Sequence, residues 1–226
     1  ADFVYTTHVT ISQIHPKRIT MGGGVDIVVM GTGFDQFDAI SCSFDGKIVM
    51  ADRDSTSSTM TKCTVPPSEM NRGLVDVSIH GRHLSGAGVE IEYVAHPVAD
   101  AIDPSSGPLS GNTIVQVHGS NMTAGGLYCK FGSGPAVKAV FHDSSRVSCV
   151  TPPETMVGRV ELSLSVNGEH FIASGLSFEY LATPEILSLS PIQGPESGGT
   201  RVCVSGYQLG PRGAVSCMFG SLQSVS

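Results

Sequence analysis

The sequence predicts an all-β protein made of tandem sandwiches, and three observations carry that prediction. First, the 226 residues hold 27 Gly, 13 Pro and 44 Ser plus Thr, while charged residues reach only 15%, below the ~25% of an average domain. Such a chain is made of strand formers and turn residues rather than the Lys, Glu, Arg and Leu of helices, which argues against a bundle or an α/β enzyme. Second, apolar residues alternate with a period of two. Third, a set of landmarks returns every 86 to 88 residues. At 40% hydrophobic the chain can bury a core, and with 6% aromatics and no Trp that core is aliphatic.

Each copy opens on a proline: Pro16, Pro104 and Pro191. An alternating strand follows, with Val25, Ile27 and Val29 in the first copy, Thr113, Val115 and Val117 in the second, and Thr200, Val202 and Val204 in the third. Residues between them, such as Asp26, Gln116 and Arg201, are mixed, as on a sheet with one face in and one out. Gly31, Gly119 and Gly206 close these strands. Cys42-Ser43-Phe44, Cys129-Lys130-Phe131 and Cys217-Met218-Phe219 come next. Then come Cys63-Thr64-Val65-Pro66-Pro67 and Cys149-Val150-Thr151-Pro152-Pro153. A later strand reads Val75, Val77, Ile79, and its copy Val160, Leu162, Leu164, Val166 runs into Asn167-Gly168, which predicts a two-residue hairpin turn. Complete copies end on Tyr93 and Tyr180, and Tyr5 lies 88 residues before Tyr93.

These spacings divide the chain. Residues 1–8 are expected to be the last strand of a preceding repeat, 9–94 the first repeat, 95–182 the second, and 183–226 the first half of a third. Since 226/87 is about 2.6, the chain reads as a window on a longer array. Seven or so short strands per repeat, separated by Gly/Pro/Ser turns, predict an immunoglobulin-like sandwich.

At these residues the sequence resembles the IPT/TIG family. The third copy carries the opening of that pattern: Pro191, Gly194, Gly198-Gly199-Thr200, Val202, Val204 and Gly206. The second carries the close: Cys129, Phe131-Gly132, Cys149, Pro152-Pro153, Gly158, Asn167-Gly168, Phe178 and Tyr180. The first departs from it, with Gly24 for the expected Thr and Asp45 inserted before Gly46. The resemblance implies immunoglobulin-like (E-set) β-sandwiches in an elongated array. Such domains occur in plexins, the hepatocyte growth factor receptor, fibrocystin-like and protist surface proteins, and some transcription factors. It supplies no shared active site.

Cys42 with Cys63 and Cys129 with Cys149 recur in phase and are read as intradomain disulfides. Buried thiols are the competing reading, and zinc is disfavoured because no C-x2-C or His partner accompanies them. Disulfides imply an extracellular or cell-surface chain. Asn121-Met122-Thr123 is a glycosylation sequon on the turn after a strand. Cys217 matches the first Cys of a pair, whereas Cys203 has no counterpart. An intermolecular bridge, a local pair with Cys217 and a free thiol are all open to Cys203, with the reading leaning to an unpaired or intermolecular role.

Other chemistry is weaker. The net charge of −7, with no Lys/Arg cluster beyond Lys17-Arg18, disfavours nucleic acid. No run approaches the ~18 apolar residues of a membrane span, and no signal peptide is visible at Ala1–Tyr5. His80 and His83 sit at an expected hairpin turn without an acidic third ligand, and Asp100 and Asp103, near Glu92, lack a dense calcium loop. Gly22-Gly23-Gly24 precedes a strand and lacks the Lys-Ser/Thr of a phosphate loop. No nucleophile motif or carboxylate pair stands out, so no enzyme, cofactor or metal is expected.

The joints Val94-Ala95-His96-Pro97 and Leu181-Ala182-Thr183-Pro184 are short and carry Pro, which predicts a semi-rigid rod. The opening joint at Thr6–Val9 lacks the Pro. The expected function is a non-catalytic extracellular structural or adhesion protein. It would form a stalk or filament through contacts with copies of itself or other surface proteins, as in a surface fibre or a ciliary or flagellar hair. The alternative is the ligand-binding ectodomain of a plexin-like receptor.

Overall fold

Alternating strands expose an apolar face, and in a chain almost without helix a second sheet covers it. The computed structural model describes residues 9–36, 39–79, 82–83, 88–209, 217–220 and 222–224. The strand expected around Tyr5, the opening joint at Thr6–His8 and the turn at His80-Gly81 lie outside the described residues.

The first repeat contains β1 (Thr10–His15), β2 (Arg18–Thr20), β3 (Asp26–Thr32), β4 (Ser41–Phe44), β5 (Lys47–Met50), β6 (Met60–Thr64), β7 (Arg72–Ile79), β8 (Arg82–His83) and β9 (Val89–Val94). One sheet has the order β1-β3-β6; the other runs β2-β9-β7-β4-β5, with β8 on β7. Ile27, Val29, Val75, Val77, Ile91 and Tyr93 meet between them, fully buried.

The second repeat follows the same plan with β10 (Val98–Asp103), β11 (Ser106–Pro108), β12 (Ile114–Ser120), β13 (Tyr128–Phe131), β14 (Val137–Lys138), β15 (Val140–Asp143), β16 (Arg146–Val150), β17 (Gly158–Ser165) and β18 (Ile172–Leu181). Its sheets are β10-β12-β16-β15 and β11-β18-β17-β13-β14. In both repeats the strand after the opening proline crosses to the other sheet and pairs parallel with the last strand, β2 with β9 and β11 with β18. The third copy shows β19 (Glu185–Ser190) paired with β20 (Cys203–Tyr207), and β21 (Cys217–Phe219) paired with β22 (Leu222–Ser224).

The recurring glycines have a steric cause. The first strand of each copy bulges, between Ile11 and Gln13, Ala99 and Ala101, and Ile186 and Ser188. The bulge carries a carbonyl oxygen, that of Thr10, Val98 or Glu185, into the place a Cβ would occupy on Gly31, Gly119 or Gly206. A second constraint joins two motifs that are far apart in sequence. A Cβ on Gly23 would lie 2.6 Å from the Pro66 carbonyl carbon, and one on Gly111 would lie 2.6 Å from that of Pro152. The glycine turn, Gly23-Gly24 or Gly111-Asn112, and the Pro-Pro pair are therefore the two sides of one contact.

Asp45-Gly46 proves to be a turn rather than a disturbance. Both residues have positive φ, 50° and 87°, and Phe44 pairs directly with Lys47. This is the two-residue turn that Asp-Gly favours between strands. The Asp45 carboxylate fits because Gly73 stands beside it; the matching positions in the second repeat are Gly132 and Val160, with the bulk exchanged. Asn167-Gly168 departs from expectation in the opposite sense. Only Gly168 has positive φ, and residues 166–171 separate β17 from β18. The Asn167 side chain instead organises a longer loop, its Oδ1 accepting from the backbone N–H of Glu169 and of His170, both at 3.0 Å.

Candidate functional site

Cys42 on β4 and Cys63 on β6 belong to opposite sheets, as do Cys129 on β13 and Cys149 on β16. Each pair is joined by a disulfide across the sandwich, with Cα atoms 6.3 Å apart. Cross-links of this kind form on the oxidising side of a membrane.

The aromatic that closes each repeat sits beside the Pro-Pro contact. Tyr180 is buried, its hydroxyl donates to the Pro152 carbonyl at 2.9 Å, and its ring meets Phe178 edge-on at 5.1 Å. Burial raises its pKa above the ordinary 10.0, helped by the Glu154 charge and opposed by a hydrogen bond with Thr151. Tyr93 is also buried, and its pKa is raised first by burial and then by Asp45. Tyr93 lines an open groove of about 470 Å³ together with Met21, Phe44, Asp45, Pro66 and Met70. Lys47 spans the rim, its Nζ donating to the Pro67 carbonyl at 2.8 Å.

The joint between the first two repeats is built from both. Val94, the last residue of β9, is 7% exposed and packs in the second repeat's core cluster with Val115, Val117 and Leu164. Arg18 on β2 reaches the other way. Its Nη1 donates to the Ala124 carbonyl at 3.3 Å, and its Nε lies 3.4 Å from a Glu92 carboxylate oxygen. Asn167 Nδ2 donates to the Arg18 carbonyl at 3.0 Å, and His15 Nε2 contacts Glu169 Oε1. Asn121 clamps the linker, its Nδ2 donating to the His96 carbonyl at 3.0 Å.

That last contact places the sequon residue. Asn121 is exposed and left-handed, with φ 57°, a conformation shared by Gly33 and Gln208 at the matching positions of the other copies. Cys203 is an exposed free thiol at the start of β20, and Cys217 is half-buried on β21. Asp100 and Asp103 are exposed on β10, whereas Glu92 is engaged by Arg18. His83 lies on β8, and among the described residues no three His, Cys, Asp or Glu side chains gather as metal ligands. No described helix is long and apolar enough to cross a membrane. Sequence reasoning read Lys17-Arg18 only as a short basic pair, because nothing in the repeat pattern marks position 18.

Comparison with known proteins agrees with this architecture. The family model for the IPT/TIG domain matches residues 9–93 and again 97–180. Mouse Plexin-B2 is 24% identical over 209 residues, 87% of this chain and 11% of that protein. Human Plexin-A3 is 29% identical over 216 residues, 90% of this chain and 11% of that protein. The chain thus spans about a tenth of the length of these relatives. Among solved structures, the full extracellular region of plexin A4 superposes with a TM-score of 0.50 at 21% identity, covering 88% of this chain and 18% of that one. With a family model over both complete repeats, the chain belongs to the IPT/TIG domain family.

Proposed function

We propose that this chain is a segment of a non-catalytic extracellular or cell-surface array, a stalk or filament whose IPT/TIG repeats stack end to end and meet protein partners. The observation that carries this reading is the joint. Val94 closes the first repeat and is buried in the second, so these two sandwiches share a core residue instead of hanging on a linker. Cys42–Cys63 and Cys129–Cys149 are proposed as the native disulfides and Asn121 as a glycan acceptor, both fitting that compartment.

Small-angle scattering tests the array. An extended profile is expected, and a folded-back, globular one would overturn it. A second reading, the stalk of a plexin-like receptor ectodomain, is favoured by the similarity to Plexin-B2 and Plexin-A3. Sedimentation across a concentration series separates the two. Growth into higher species supports the filament, and a constant monomer supports the receptor stalk.

A further inference from the structure

Arg18 and Ser106 occupy the same place in successive repeats. Each is the first residue of the strand that pairs parallel with the closing strand, Arg18 opposite Glu92 and Ser106 opposite Glu179. The glutamate is the same in both; the residue facing it is not. In the second repeat Glu179 is engaged from within, by Arg159 on β17 with Nε 3.6 Å from its carboxylate. In the first repeat the matching arginine, Arg72, turns to Glu90 at 2.6 Å, which leaves Glu92 to Arg18.

The Arg18 guanidinium is thus held by its own repeat and inserted into the next. Its side chain is only 16% exposed. It bonds the Ala124 carbonyl and lies so close to Gly126 that a Cβ there would overlap Nη1. Gly126 has no positive φ, so its backbone conformation suits an alanine; the severe clash would be with Arg18 Nη1, the Val166 carbonyl oxygen being a milder contact at 3.3 Å. The backbone half of the joint, Asn167 on the Arg18 carbonyl, does not depend on the side chain. A serine at this register keeps that carbonyl and loses the arm.

We propose that Arg18 is an inter-repeat bolt that fixes the first and second repeats as one rigid unit, and that the residue at this register position sets joint stiffness along the array. Where it is Ser106, the next joint lacks the bolt. Relative motion is the default between domains unless their interface is large and hydrophobic, and here Val94 is the apolar anchor of a joint whose other contacts are polar. One long side chain, steered by Glu92 and seated against a glycine, therefore decides whether the pair moves together.

The test is residual dipolar coupling on the 226-residue chain. Wild type is expected to report one alignment tensor for both repeats, with the ratio of their degrees of order near one. Arg18→Ser should split them and lower that ratio to below about half, as for domains left free to reorient. Gly126→Ala should do the same by displacing the guanidinium from the other side. Added to Arg18→Ser it should change nothing further, because the group it displaces is gone. Amide spectra of β3–β6 and β12–β16 report that each sandwich stays folded in every variant. Separate tensors in wild type, an undiminished ratio in Arg18→Ser, or additive loosening in the double variant would each overturn the proposal. An extended scattering profile in those same cases would leave the array reading standing.

Discussion

Replacing Tyr180 with Phe removes one hydroxyl and leaves the ring in its edge-on contact with Phe178 at 5.1 Å. The loss is therefore confined to the hydrogen bond on Pro152, a residue buried under the Gly111 turn. A net hydrogen bond contributes ~0.5–1.5 kcal/mol, and a buried carbonyl left without a donor costs ~1–3 kcal/mol. About 1.5 kcal/mol is thus expected for Tyr180→Phe. For a repeat of this size that corresponds to a fall in Tm of about 6–12 °C. The same change at Tyr93 is the internal control. Its hydroxyl makes no described hydrogen bond to Pro66 and faces the groove beside Asp45, so Tyr93→Phe should move stability by less than about 0.5 kcal/mol. Hydrogen exchange read by mass spectrometry resolves the two repeats in one experiment. Faster exchange in β16–β18 of the first variant is expected, with β6–β9 of the second unchanged. Equal effects in both, or a larger one at Tyr93, would show that the phenol stabilises the repeat by packing alone and refute the reasoning.

Gly119→Ala drives a methyl into the Val98 carbonyl and should cost about 3 kcal/mol, seen as loss of the second repeat's cooperative urea transition. Removing the second disulfide by the double change Cys129→Ser and Cys149→Ser should lower stability by about 3 kcal/mol in the chain-entropy model for its separation of 20 residues, read from the denaturation midpoint. Both closing tyrosines have folded pKa values raised above 10.0. The stability they contribute is therefore complete below pH 10 and is lost as pH rises through the folded values. Alkaline titration should show tyrosinate absorbance rising together with unfolding; early, independent ionisation of all tyrosines would contradict this. Asn121→Gln should abolish one glycoform of the secreted chain, visible as loss of a mobility shift on amidase treatment.

What the sequence made legible is what the repeat enforces. Gly31, Gly119 and Gly206 recur because a bulged neighbour puts a carbonyl where a Cβ would be, so the spacing alone exposed the strand ends. The alternating Val and Ile residues found the core for the same reason: their face has one possible partner. Asp45 was harder, because it was set against a repeat that lacks it, and the local Asp-Gly signal read on its own would have given the turn. Asn167 misled in the reverse direction, since its side chain serves the loop and the Arg18 carbonyl rather than a tight turn. The joint was legible in its position, Val94–Pro97, but not in its contacts. Its parts, Arg18, Glu92, Ala124 and Asn167, come from separate segments of two repeats, and the decisive one differs from copy to copy.

Val94 has a consequence for how such an array gains its stability. Burying a valine is worth roughly 1.5–3 kcal/mol, and this one is supplied by one sandwich to the core of its neighbour. The second repeat's stability is then a sum of what it holds by itself and what it receives from the first, as in a one-dimensional chain of coupled units. Cutting between residues 94 and 95 would keep every strand of the second repeat and still weaken it. Loosening the first repeat, by heat or by tension, would therefore withdraw support from the second.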